Sequence, residues 1–330
     1  MKRFPVVYIL AAVVATLSGC GGGSTQLAPT DPQGVLRRLE GRPPASVAAS
    51  GAWMSSHAKG SSLLYVADTV GSAVNVYSAA TFDPFGILVG FANPHAMCVD
   101  AAQDVYVPDS ALDRITEYAH GAVEPKRTLA DDHGDPVSCA VDPKSGDLAI
   151  SNAVGPSSTL GSVIVYHGAK GSPAKYTASG FQRYLFIGYD DTGNLFLDGL
   201  GSGSEVQLAE LRKGKSTFKS IAMNQAILSP GAVVWDGAFL AVGDTLANTI
   251  YQFKVAGSKA TVHGSTTLGG AAEVFQFWLT GGTSKHPQAT GVLGADFAAG
   301  AVYKWPYPAG GKPLKSITGL EGPEGVAISQ

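Results

Sequence analysis

The chain is organised by a phrase of apolar and polar positions that it repeats six times. An apolar run closes on an aspartate, a turn follows, a second apolar run closes on another aspartate, and a third ends on an aromatic residue. Pro94–Asp100, Asp104–Asp109 and Ile115–Tyr118 form one copy, and Pro136–Asp142, Asp147–Asn152 and Val163–Tyr166 form the next. These runs are short, rich in Val, Ile and Tyr, and bounded by Gly, Pro, Asp and Ser, which predicts strands rather than helices. With the end of the second run as a ruler, the copies fall at Asp68, Asp109, Asn152, Gly199, Asp244 and Asp296, a period of about 45 residues. A strand-only repeat of that length predicts a β-propeller.

Most third runs are followed by a turn and a short outer run, as in Glu124–Leu129, Ser172–Tyr176 and Lys312–Ile317. Four strands per copy make one blade. First runs occur at Pro94–Asp100, Pro136–Asp142, Tyr184–Asp190, Pro230–Asp236 and Val274–Thr280, whereas the N-terminal copy opens directly on a second run, Leu63–Asp68. The missing first run stands at the end of the chain, Pro323–Ser329. The fold expected is therefore all-β, a six-bladed β-propeller of four-stranded blades whose ring is closed by the C-terminal strand completing the first blade. Such closure removes the open sheet edges that invite aggregation.

The runs resemble the NHL-repeat family of six-bladed propellers. Pro323-Glu-Gly-Val-Ala-Ile-Ser329, Asp191-Thr-Gly-Asn-Leu-Phe196 and Leu64-Tyr-Val-Ala-Asp68 carry the resemblance, which extends over about five-sixths of the chain. The fifth copy lacks the Gly-Asn turn, and the sixth has Thr280 and Gly294 in place of the family's Asp and Val. The resemblance implies an interaction platform rather than an enzyme.

Ahead of the repeats, Lys2 and Arg3 precede an apolar stretch from Phe4 to Thr16, too short to span a bilayer comfortably, and then Leu17-Ser-Gly-Cys20. This resembles the bacterial lipoprotein signal, in which the cysteine receives the lipid and becomes the mature N-terminus. Residues 1–19 are read as signal peptide, 20–51 as a flexible tether rich in Gly, Pro, Ser and Ala, and 52–330 as the propeller. Export to the cell envelope and anchoring through lipid on Cys20 follow from that resemblance. Trp53-Met54 is expected to pack on the rim of the domain.

Besides Cys20, the chain has only Cys98 and Cys139. Counted from Pro94 and Pro136, they sit at positions of opposite parity in neighbouring first runs. Because alternate strand positions face opposite sides of a sheet, the sulfurs are expected to point apart as buried free thiols.

The candidate chemistry is sparse. Asp100, Asp142, Asp190 and Asp236 recur once per copy at turns, where a carboxylate bridges backbone N–H groups. Strand order places His95, Val137, Leu185, Gly231, Phe275 and Glu324 at one mouth of the channel. His95 and Glu324 fall in neighbouring blades at one height and are the candidate acid–base pair. Arg183 and Glu273 precede first runs and join them as a candidate ligand rim.

Two enzyme families on this fold provide tests. Gluconolactonase-like hydrolases need a metal-ligand set from several blades, which the apolar inner positions do not supply. Streptogramin-lyase-like propellers repeat a Pro-His-Gly start, which occurs here once, as Pro94-His95-Ala96. No catalytic set, cofactor or metal site is assembled. A formal net charge of −3 with 15% charged residues gives no basic stripe for nucleic acid. The expectation is a monomeric, lipid-anchored, non-catalytic module that binds protein, peptide or glycan. The alternative is an envelope hydrolase or lyase working at the channel mouth.

Overall fold

The strands differ sharply in burial according to their place in the repeat, and this difference builds the architecture. In the sheet of residues 98–130, the second strand Val105–Asp109 is buried at every position, whereas the outer strand Pro125–Ala130 is exposed or half-buried throughout. A second strand is covered on both faces by neighbouring sheets, so it tolerates apolar side chains on both. An outer strand meets water and alternates toward Lys, Arg and Thr. The computed structural model describes residues 51–282 and 289–330, with every element a strand or a short 3-10 turn.

One sheet holds five strands: β1 (Trp53–Met54), β2 (Leu63–Asp68), β3 (Ala73–Ser78), β4 (Pro84–Leu88) and the C-terminal Pro323–Ser329, in the order β1-β4-β3-β2 and then the C-terminal strand. Two four-stranded meanders follow. The first is β5 (Cys98–Val99), β6 (Val105–Asp109), β7 (Arg114–Tyr118) and β8 (Pro125–Ala130). The second is β9 (Pro136–Val141), β10 (Leu148–Gly155), β11 (Thr159–Tyr166) and β12 (Ala174–Tyr176).

Next comes an eight-stranded sheet. Its strands are β13 (Phe181–Tyr189), β14 (Leu195–Gly201), β15 (Val206–Leu211), β16 (Lys219–Met223), β17 (Pro230–Trp235), β18 (Leu240–Asp244), β19 (Thr249–Ala256) and β20 (Lys259–Thr267). It is joined at its middle by a parallel pairing of β16 with β20. A last meander contains β21 (Val274–Thr280), β22 (Gly291–Asp296), β23 (Ala301–Pro306) and β24 (Lys315–Thr318), and the chain ends in β25 (Pro323–Ser329). The arrangement is all-β and propeller-like.

The C-terminal strand pairs antiparallel with β2 from Leu63↔Ser329 to Asp68↔Pro323, in the place the sequence assigned to it. It is tied to neighbouring sheets at three heights. Glu324 reaches His95, Val326 N donates to Gln276 Oε1, and Ser329 Oγ donates to Gln103 O. Trp53 and Met54 pair with Ile87 and Gly86 on the outer edge of the same sheet, with Trp53 49% exposed. Cys20 and the rest of the signal and tether lie outside the described residues. Among the described residues, no helix is long and apolar enough to cross a membrane.

The expectation of free thiols is corrected. Cys98 and Cys139 form a disulfide, with an S–S distance of 2.05 Å and Cα atoms 5.5 Å apart. The parity argument holds within each sheet: Cys98 pairs opposite Tyr106 and Cys139 opposite Ile150, positions of opposite facing. However, the two sheets stack face to face. The face of one that meets its neighbour is the opposite face from the one the neighbour presents in return. Opposite parity is therefore what brings the sulfurs together, within a core shared with Ile115, Leu148 and Ile164.

Candidate functional site

The ruler aspartates explain how four of the copies position the entry to the inner strand. Asp109 accepts hydrogen bonds from Ala92 N and Asn93 N, both at 2.9 Å. Asp244 accepts from Leu228 N and Ser229 N, Asp296 from Ala272 N and Glu273 N, and Asp68 from Glu321 N and Gly322 N. In each case a carboxylate at the end of a second strand ties down the loop that leads into the inner strand. The turn aspartates at the opposite end behave as the sequence indicated. Asp142 accepts from Lys144 N, Asp190 from Thr192 N and Asn194 N, Asp236 from Ala238 N and Phe239 N, and Asp100 from Asp104 N.

The structure brings His95 and Glu324 together, but inside the protein rather than on an open rim. His95 Nδ1 lies 2.8 Å from Glu324 Oε1, with exposures of 0% and 1%. A carboxylate only accepts, so Nδ1 is the donor to Glu324. Ser110 Oγ stands 2.8 Å from Nε2, and Asn93 Nδ2 stands 2.9 Å from it. Glu324 Oε2 accepts from Thr69 Oγ1 at 3.0 Å.

The order Ser110–His95–Glu324 is that of a nucleophile, base and orienting acid. Ser110 is the member that sequence reasoning missed, because it follows the ruler aspartate by one residue and carries no motif. Ser110 is itself only 4% exposed, so the three groups form a network closed off from solvent. The other expected mouth positions, Val137, Leu185 and Phe275, are likewise buried core.

Glu273 is also buried, at the entry to β21, where its own N–H is held by Asp296. Arg183 is half-buried on β13 and stands apart from the His95 network, at the edge of a different cavity. The expected rim is therefore two separate places.

The channel between inner strands is closed by side chains that satisfy the strands' unpaired edges. Gln276 Nε2 donates to Met97 O at 2.7 Å, while its Oε1 accepts from Met97 N and Val326 N. Asp198 accepts from Phe186 N and Gly231 N, and its burial pushes its pKa well above the ordinary carboxylate value. A cavity of about 290 Å³ remains lower in the channel, bounded by Met97, Phe186, Val233 and Trp278 and by the disulfide.

The larger concavity, about 630 Å³, lies on the upper face and is formed mainly by the loop between β8 and β9 together with the β10–β11 hairpin. Asp131, Asp132 and Asp135 come from the loop, Asp113 from the neighbouring sheet, and Val154 to Ser157 from the hairpin. Here the ruler position is Asn152, and β10 runs on past it to Gly155. The Asp135 N–H, whose counterparts Asn93, Ser229, Glu273 and Gly322 donate to a ruler aspartate, donates here to Val154 O, while the Ala153 N to Asp135 O bond is one the other copies also make. Gly134, at φ +149°, permits this approach; a Cβ there would lie 2.0 Å from Val154 O.

Asp131 is 1% exposed, and burial pushes its pKa up to about 6. The run Asp131-Asp-His-Gly-Asp135 is the sequence signal for this place: three acids in five residues of a chain with few charges. Among the described residues, no group of three or more His, Cys, Asp or Glu side chains is placed to hold a metal ion.

No family model matches the sequence, and no curated protein matches it. Among solved structures, the chain is similar to one in a nidogen/laminin complex, with a TM-score of 0.64 and 14% identity, covering 82% of this chain and 98% of that one. It is also similar to a protein of unknown function from Bacteroides caccae, with a TM-score of 0.62 and 10% identity, covering 82% of this chain and 99% of that one. At these identities the likeness is one of fold, a β-propeller-like arrangement.

Proposed function

We propose that this chain is an exported, lipid-anchored propeller of the cell envelope that works as a non-catalytic binding module for a protein partner. The observation that carries the reading is a contrast on the upper face. The central polar network is sealed from solvent, its His95, Ser110 and Glu324 side chains bonded within the protein, whereas the cavity beside it is open and walled by a hairpin longer than the equivalent turns. The fold is that of a chain in a nidogen/laminin complex, a protein–protein assembly.

We read the ring as six blades. The eight-stranded sheet divides at its one parallel pairing into two antiparallel meanders ordered like the others. The C-terminal strand then closes the ring as the inner strand of the first blade.

Site-specific photo-crosslinking in cells tests the binding reading. A crosslinker at Leu160, 60% exposed on the hairpin, should give a discrete adduct that one at Leu314, 65% exposed at the opposite end, does not. Identical patterns from both positions would overturn it. Anchoring is tested by Cys20→Ser, which should abolish lipid incorporation and membrane retention; normal processing of that variant would refute the anchor.

The Ser110–His95–Glu324 order favours one second reading, a hydrolase whose network opens on substrate binding. A fluorophosphonate probe that labels Ser110 would establish it in place of the binding reading.

A further inference from the structure

We propose that the lower end of the ring, where inner strands finish and third strands turn into outer ones, rests on an anionic phospholipid bilayer through its lysines. The inference rests on the lipid-anchored reading above and specifies how the anchored domain is turned.

A formal net charge of −3 conceals an asymmetry along the axis of the ring. Among the described residues, no lysine stands on an inner or second strand, in a turn between second and third strands, or in a loop leading to an inner strand. Lysines instead occupy the lower turns, as Lys59, Lys144, Lys170, Lys215 and Lys312 do, or the third and outer strands. The upper end is the reverse. Asp113, Asp132, Asp135, Glu205 and Glu321 lie there beside the ruler aspartates, and Arg114 and Arg183 are its only lysine or arginine side chains among the described residues.

The lower end has carboxylates too, but most are held within the protein. Asp100, Asp142, Asp190 and Asp236 accept turn N–H groups, and Asp147 accepts from Gly168 N. Buried Asp104 and Glu117 pair with Lys126, Glu117 also with Arg127, and Glu210 with Arg212. Asp83, Glu124 and Asp191 remain exposed. Lys144, Lys170, Lys215, Lys259 and Lys312 are exposed as well, and none makes an ion pair among the described residues. Ammonium groups reaching into water therefore set the field outside this end.

Their spread decides the kind of anion. They run round the ring from the turn ahead of β2 to the turn before β24 rather than gathering in one groove. A peptide or a single phosphate would meet only one or two of them. A flat anionic surface meets many at once, and each lysine within about 8–10 Å of it adds to the attraction. An ammonium on a flexible stem suits headgroups that offer no fixed geometry. Such a basic surface adds to a lipid anchor in holding a domain against a membrane. The acidic upper end is repelled by the same surface, which turns the open upper cavity away from the membrane.

Co-sedimentation of the full-length Cys20→Ser protein with vesicles tests this without help from a covalent lipid. Vesicles of mixed phosphatidylglycerol and phosphatidylcholine should retain more protein than vesicles of phosphatidylcholine alone, and salt should erase the difference. Lys144→Gln, Lys215→Gln and Lys259→Gln combined should weaken binding to the anionic vesicles at least about tenfold. Ser202→Glu, Ala226→Glu and Ala298→Glu, exposed at the upper end, make the same change in net charge and should weaken it less than about twofold. Equal retention by the two kinds of vesicle, no loss in the lower-end variant, or an equal loss in both variants would overturn the proposal. Release by inorganic phosphate beyond that caused by sodium chloride at the same ionic strength would overturn it in favour of a phosphate pocket. Equally tight binding of duplex DNA would do so in favour of nucleic acid. Each of these failures leaves the anchor reading standing, since lipid incorporation at Cys20 decides that separately.

Discussion

His95 and Glu324 are separated by 229 residues of chain, yet His95 Nδ1 and Glu324 Oε1 meet at 2.8 Å with neither side chain in contact with water. Glu324 belongs to the strand that joins the end of the chain to its beginning, and His95 belongs to the entry of the next sheet. Thr69 Oγ1 stands between the carboxylate's other oxygen, at 3.0 Å, and Pro94 O, at 2.6 Å, with one proton to share between them, and Ser110 holds the far side of the ring. The pair is a side-chain latch across the closure.

Removing one partner of that latch leaves the other buried and unpaired. His95→Ala, which strips a buried carboxylate of its partner, is expected to cost about 3–5 kcal/mol of stability, and Glu324→Ala, which leaves a buried N–H unpaired, about 1–3 kcal/mol. Denaturant unfolding measures this as a lower midpoint with an unchanged slope. An enzyme with an independent catalytic pair would instead lose activity with its midpoint intact.

Deleting Pro323 to Gln330 removes the partner of β2 along with the bonds to Gln276 and Gln103. The strand buries Val326 and Ala327 completely. Several kcal/mol are lost, and the melting temperature is expected to fall by more than about 10 °C. A melt superimposable on that of the intact chain would contradict the closure.

The disulfide links residues 41 apart in sequence. Closing a loop of that size in the unfolded chain stabilises the fold by about 4 kcal/mol. Cys98→Ser with Cys139→Ser should lower the unfolding free energy accordingly. Thiol titration of the unfolded, unreduced protein should find no free sulfhydryl at either position.

Asp131 gives the protein a distinct response to pH. Its folded-state pKa is raised from 3.8 to about 6. Between those values the folded state keeps a proton that the unfolded state has lost, so this group makes stability fall as pH rises. Over that window the loss is on the order of 3 kcal/mol, complete above the folded value. Asp131→Asn cannot ionise and should flatten the decline between pH 4 and 7. Parallel stability curves for the two proteins would show that Asp131 does not titrate in this way.

Much of the fold is legible in the sequence because a repeated period of strands leaves few ways to bury so many apolar faces. The ends of β21 and β25 fall where the apolar runs end, and the terminal run finds β2 because only that copy lacks an inner strand. The pairing of His95 with Glu324 also follows from the repeat, since both occupy the same place in adjacent copies.

Tertiary packing decided the rest. Alternation along a strand is a local rule, and it predicted that Cys98 and Cys139 diverge; the stacking of one sheet on the next reverses its consequence. Burial of the His95 pair depends on inner strands converging at the centre, a distance relation that no single strand carries. In the copy that has Asn152 at the ruler position, β10 runs on to Gly155 and Val154 O takes the Asp135 N–H that a carboxylate accepts elsewhere. Sequence thus determined which strands exist and in what order they close. The close approach of separate sheets determined which cysteines bond and which polar groups are buried in holding neighbouring sheets together.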